Sequence, residues 1–185
     1  DTLENKLEQL PEYIRLKAYV SFVRDISMDE LCELNDKYDA GFIWAGIRNA
    51  PLSYSAVKNG KAVMTDGENR QLWPITGFEM TGTGRYFDIN NEYENFEIGG
   101  NISAEVYESH YKTMLRFQLD HMDFLKMISN GIEYEQYYNE IQDYINENGI
   151  YSYGVVVISS PKELLELVKD EMVYQAIIDD MELGY

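Results

Sequence analysis

Ser27-Met28-Asp29-Glu30-Leu31-Cys32-Glu33-Leu34 and Ser160-Pro161-Lys162-Glu163-Leu164-Leu165-Glu166-Leu167 share Ser, Glu, Leu, Glu and Leu at the same offsets. A Ser followed three residues later by Glu is a capping box, in which the Ser oxygen and the Glu carboxylate each take a backbone N–H that the first helical turn leaves unpaired. Pro161 falls at the first helical position, where its missing N–H costs nothing. Each segment is preceded by an apolar run, Tyr19-Val20-Ser21-Phe22-Val23 or Gly154-Val155-Val156-Val157-Ile158. Each is followed by another, Phe42-Ile43-Trp44-Ala45-Gly46-Ile47 or Val173-Tyr174-Gln175-Ala176-Ile177-Ile178. The chain therefore reads as two β-α-β units. A helix with a single leucine face must bury that face on the strands it joins, so Leu31, Leu34, Leu164 and Leu167 are expected in the core. The fold class that follows is α+β, the two units sharing one sheet in a ferredoxin-like split arrangement, with all four strands apolar enough to be central.

Between the units lies a long insertion, residues 49–150. Its first half is punctuated by turn signals: Asn59-Gly60 flanked by strand-like residues reads as a tight hairpin, and Asp66-Gly67, Thr81-Gly82-Thr83-Gly84 and Gly99-Gly100 follow. Short strands and extended chain are expected there. The second half is helical. Tyr107, Tyr111, Met114, Leu115, Met122, Leu125 and Ile128 recur at helical intervals up to Asn130-Gly131, and Tyr134, Tyr137, Tyr138, Ile141, Tyr144 and Ile145 do so up to Gly149, a residue suited to a left-handed helix end. These predict a helical pair. Residues 1–12, with Leu3, Leu7 and Leu10 before Pro11, read as a linker or a short docking helix, the linker being the preferred reading. Residues 13–185 read as a single domain.

The 185 residues carry 15 Lys plus Arg against 33 Asp plus Glu, a formal charge of −18, which repels phosphates and anionic headgroups and excludes nonspecific nucleic-acid or membrane-surface binding. No run approaches the ~18 apolar residues of a membrane-inserting segment. The one cysteine forms no internal disulfide. The opening at Asp1, without Met or a signal segment, reads as a fragment whose targeting or anchoring part lies upstream.

The search for chemistry yields no catalytic residue, cofactor site or metal site. The only histidines, His110 and His121, stand about 16 Å apart along a helix and cannot ligate one metal. Cys32 has Glu30, Glu33 and Asp36 around it, which raise a thiol's pKa, and reads as core filler. Gly82-Thr83-Gly84 lacks the third glycine and the Lys-Ser/Thr ending of a phosphate loop. In Asp88-Ile89-Asn90-Asn91-Glu92-Tyr93-Glu94 oxygen ligands alternate as in a calcium loop, but Tyr93 stands where such a loop needs Gly and Gly99 where it needs Glu. No carboxylate pair stands out among 33 acids. What remains is a set of large aromatics among glycines in the turn-rich segment, from which Trp73, Phe78 and Tyr86 are the candidate partner contacts.

Leu16-Lys17-Ala18-Tyr19-Val20-Ser21-Phe22, the Ser27 helix start, the Trp44-bearing strand, Gly77-Phe78 in the middle, and Tyr153-Gly154-Val155-Val156-Val157 with its following helix together resemble the C-terminal domain of sigma factor regulators, over roughly residues 13 to 183. The resemblance implies a cytoplasmic segment that holds an extracytoplasmic-function sigma factor, one membrane span, and this domain outside the membrane, mostly in Gram-positive bacteria. It implies a non-enzymatic sensing or interaction domain of a membrane-anchored anti-sigma factor. Its partner is then an unknown extracytoplasmic signal or protein, and the sigma factor is reached only through the absent cytoplasmic segment. It transfers no catalytic, ligand or cofactor residue. The alternatives are an acidic intracellular binding or inhibitor module and a carboxylate-based hydrolase.

Overall fold

The computed structural model describes residues 2–38, 40–50, 53–58, 61–65, 77–80, 103–128 and 134–184. A long strand, β1 (Ile14–Ser27), buries Leu16, Ala18, Val20 and Phe22 on one face and leaves Lys17, Tyr19 and Ser21 on the other. At its end Ser27 caps α2 (Met28–Lys37): Ser27 Oγ accepts from the Glu30 N–H at 3.2 Å while the Glu30 carboxylate accepts from the Ser27 N–H at 2.9 Å. Arg24 grips the same carboxylate, and its hydrogen bonds together with the Ser27 N–H hold the Glu30 carboxyl down at about 2. The chain returns as β2 (Gly41–Ile47). The second unit repeats the order as β6 (Tyr151–Ser159), α6 (Pro161–Val168), with the second capping box at Ser160 and Glu163, and β7 (Val173–Leu183).

These strands form one five-stranded sheet with β5 (Gly77–Glu79) at one edge, in the order β5-β2-β6-β1-β7, every neighbouring pair antiparallel. β6 lies between β1 and β2, and β1 lies between β6 and β7, so each β-α-β unit is split by a strand of the other. That is the ferredoxin-like split arrangement expected from the paired helices. Both helices lie on the same face: α2 contacts β1 and β6, and α6 contacts β1, β6 and β7. Leu31, Leu34, Leu164 and Leu167 are all buried there.

In one respect the strands differ from expectation. β7 is an edge strand, with Ala176 its only fully buried residue. The crossover from β6 through α6 passes over β1 and lands beyond it, where no further strand of the described residues follows, and Tyr174 and Ile177 are exposed. Residues 3–7 also depart from the preferred linker reading. They form α1 (Leu3–Leu7), which packs on α6 and buries Leu7. The two units are tied together where α2 ends: the buried Asp170 accepts from Lys37 Nζ at 2.6 Å, the Tyr38 hydroxyl at 2.7 Å and the Met172 N–H at 2.9 Å. Burial works against that charge, but these donors outweigh it and hold the carboxyl below its ordinary value.

In the insertion, β3 (Ser53–Lys58) and β4 (Lys61–Thr65) pair antiparallel with Lys58 opposite Lys61, the register of a tight hairpin. The Asn59-Gly60 turn, the other turn pairs of this region and the Asp88–Gly99 stretch lie outside the described residues. The first expected helix is interrupted: α3 (Ala104–Asp120) ends at His121, whose ring stacks on Phe117 at 4.2 Å, and α4 (Met122–Ile128) follows. Both pack on α5 (Tyr134–Asn148), which ends at Gly149 with φ 86°.

Leu164 is fully enclosed between α6 and the sheet. Leu164→Ala is expected to lower unfolding stability by about 2–5 kcal/mol, the lost transfer energy plus a cavity. Urea denaturation reads this; a change below about 1 kcal/mol would place the side chain in a site that collapses freely.

Candidate functional site

All described helices that touch the sheet cover the Leu16-Ala18-Val20 face, and among the described residues no helix covers the other. Across that open face runs one rung of cross-strand neighbours: Ile177 opposite Tyr19, Tyr19 opposite Val156, and Val156 opposite Trp44. Tyr19 is 46% exposed and Ile177 56%, whereas Val156, between two aromatics, is buried. The adjacent rung is Gln175, Ser21, Gly154 and Gly46, so the side chains shrink abruptly and leave a depression of about 240 Å³ beside the aromatics.

Two glycines shape its walls. A Cβ on Gly46 would fall 2.6 Å from the Tyr153 ring, so glycine is what lets that ring rest on the β2 backbone. A Cβ on Gly77 would fall 2.1 Å from the Trp44 indole, which covers β5 in the same way. Tyr153 is also held by Arg48, whose guanidinium carbon is 4.9 Å from the ring centroid. Arg48 is in turn fixed by a two-pronged pair with Asp25, Nε to Oδ2 at 2.7 Å and Nη2 to Oδ1 at 2.8 Å. Asp25 is available because β1 breaks register between Ser21 and Ile26. At the β7 side, Asp179 accepts from the Tyr19 hydroxyl at 3.1 Å and pairs with Lys17 at 3.0 Å. Lys17 holds its carboxyl below the ordinary range against the opposing effect of burial, and the Tyr19 hydroxyl adds to the lowering. Lys17 also faces Asp180 across the strands, so two aspartates share one lysine.

This surface offers apolar contact and a negative rim. It brings together no nucleophile with a base, and among the described residues no group of three or more His, Cys, Asp or Glu could hold a metal ion. Cys32 is half-buried against the core. Burial, then Asp36 and Asp29, pushes its thiol up to about 11, the direction its acidic neighbours imply. His110 is 2% exposed with its ring 5.9 Å from Phe78.

Of the three aromatics singled out from the sequence, Phe78 is 1% exposed. It stands opposite Ala45 on the helix-covered face, 5.2 Å from Tyr107 and 6.1 Å from Tyr111 between ring centroids, and works there as the wedge that joins β5 to α3. Trp73 and Tyr86 lie outside the described residues. The residues of the open face, Tyr19, Trp44, Tyr153 and Ile177, went unmarked because each sits in a run that reads simply as strand.

The model of the sigma factor regulator C-terminal family matches residues 7–180, and the chain belongs to that family. Its role is accordingly regulatory, in the control of a sigma factor, and the family is not one of known enzymes. Comparison with curated proteins and with solved structures gives no match.

Burial pushes the His110 imidazole down from 6.5 to about 4. In the unfolded chain it titrates near its ordinary value, so between those two pH values the unfolded state takes up the proton and the native state does not. The stability that neutral His110 supplies is complete above about pH 6.5 and is lost as pH falls through the window. Urea melts from pH 7 to pH 4 should therefore show His110→Gln losing less stability on acidification than the parent, by up to about 3 kcal/mol. Parallel profiles would place the histidine in contact with water.

Proposed function

We propose that this chain is the extracytoplasmic sensing and interaction domain of a membrane-anchored anti-sigma factor and acts on transcription indirectly. The observation that carries the reading is an apolar rung that no helix of the described residues covers, framed by fixed aromatics, on a domain whose family regulates sigma factors. Its chemistry is that of binding. The formal charge of −18 disfavours direct contact with DNA or an anionic bilayer, which leaves a protein or a small signal as the partner. In this reading a membrane span and a sigma-holding segment are supplied by sequence N-terminal to Asp1. No helix of the described residues is long and apolar enough to cross a membrane. Trp73 and Tyr86 belong to the same proposal as contacts from the turn-rich segment. Phe78 belongs to it only as the buried anchor of the strand that follows Trp73.

The test uses the full-length protein in its cell. An epitope tag placed after Tyr185 should be reached by antibody in intact cells stripped of wall. Deletion of residues 13–185 should change the response of a sigma-dependent reporter, and W73A with Y86A should weaken it. A tag reached only after lysis, or a reporter indifferent to the deletion while the truncated protein stays anchored, would overturn the proposal.

A further inference from the structure

We propose that the open sheet face docks a short segment of a partner protein in which an apolar or aromatic side chain is flanked by Lys or Arg. The apolar side chain lies on the rung of Ile177, Tyr19, Val156 and Trp44, and a flanking cation reaches Asp180. The inference rests on the reading of the chain as an interaction domain and specifies what that domain binds.

Size decides first. Four strands at ~4.8 Å spacing make the rung about 14 Å wide, and three rungs, from Lys17 to Ser21 on β1, make the face about 14 Å long. That is about 200 Å², a quarter of the ~800 Å² per partner that a stable protein pair buries. The depression of about 240 Å³ likewise falls below the ~300–1,000 Å³ of small-molecule sites. A surface of this extent fits one or two side chains of a peptide segment, held by walls that do not need to rearrange. Tyr153 touches Gly46 and Arg48, and the Tyr19 hydroxyl is tied to Asp179, so little side-chain freedom is lost on contact.

Charge decides second. A second copy of this chain would bring another −18 to a rim that already holds Asp179 and Asp180 around Lys17. An acidic or neutral segment gains nothing there. A cationic one supplies the charge that the second aspartate lacks, at the β7 end of the apolar rung.

The probes are two capped pentapeptides, Lys-Ala-Phe-Ala-Lys and Glu-Ala-Phe-Ala-Glu, titrated into the 185-residue chain and followed by amide NMR shifts. The lysine peptide should give saturating shifts at Tyr19, Val156 and Ile177, with the glutamate peptide weaker by about threefold or more, the scale of one exposed ion pair. I177S should weaken the lysine peptide about tenfold, as loss of a central anchor does, and D180K should reverse the preference between peptides. Ile177 and Asp180 are exposed, so both variants keep the core intact. Equal binding of the two peptides, unchanged binding by I177S, or shifts at the same amides on raising protein concentration without peptide would each overturn the proposal, the last by making a second copy the occupant. Failure here leaves the tag and deletion experiments standing, because those read topology and loss of the whole domain.

Discussion

The pairing of β1 on both of its edges is the constraint from which the rest of the structure follows. This strand of 14 residues pairs with β6 on one side and β7 on the other, which places strands from the two ends of the chain in contact. Because its side chains alternate strictly, Leu16, Ala18, Val20 and Phe22 form a single apolar strip that α2 and α6 share. Each large buried side chain of that strip contributes on the order of 1.5–3 kcal/mol, and no other strand serves both helices so directly. A slip of one residue in either pairing would turn the strip outward and strand both leucine faces, so the register of β1 is strongly specified.

The same alternation creates the open face. Once the helices occupy one side, Lys17, Tyr19 and Ser21 have no choice but the other, and their neighbours on β6, β2 and β7 are carried there with them. The face is ordered by its own local bonds. The break in β1 after Ser21 presents Asp25 to Arg48, Arg48 holds Tyr153, and Tyr153 rests on a glycine. A register break in β1 thus becomes the support for a surface ring on the neighbouring strand β6, a common use of such irregularities.

The candidate site was legible only in part, and the reasons are visible in particular residues. Phe78 stood out because it is a large aromatic beside glycine in a segment without helical or strand periodicity. Three residues are too few to show alternation, yet Gly77–Glu79 pairs with β2 and turns Phe78 toward α3. Ile177 and Tyr174 read as interior because five of the six residues from Val173 to Ile178 are apolar or aromatic, whereas the crossover left β7 without an outer neighbour among the described strands. The consecutive apolar residues Val155 to Ile158 read as a central strand. The described helices cover one of its faces, and Ile158 on the other is 44% exposed.

The sequence by itself determined the local grammar: two capping boxes, two leucine-faced helices, the strands around them and a left-handed Gly149. These depend on interactions within a few residues, so composition and spacing suffice to specify them. It also determined the strong negative charge and the acidic neighbours that add to the effect of burial in pushing the Cys32 thiol upward. Only the tertiary structure decided which strands are central, that Phe78 is a wedge and that Tyr19, Trp44, Tyr153 and Ile177 meet on one surface. Those outcomes depend on strand order and on pairings between residues more than a hundred positions apart, such as Tyr19 with Val156 and Ile177. The propensity of a strand residue is the same at an edge or a centre, on a covered face or an open one; its neighbours across the sheet are what distinguish them.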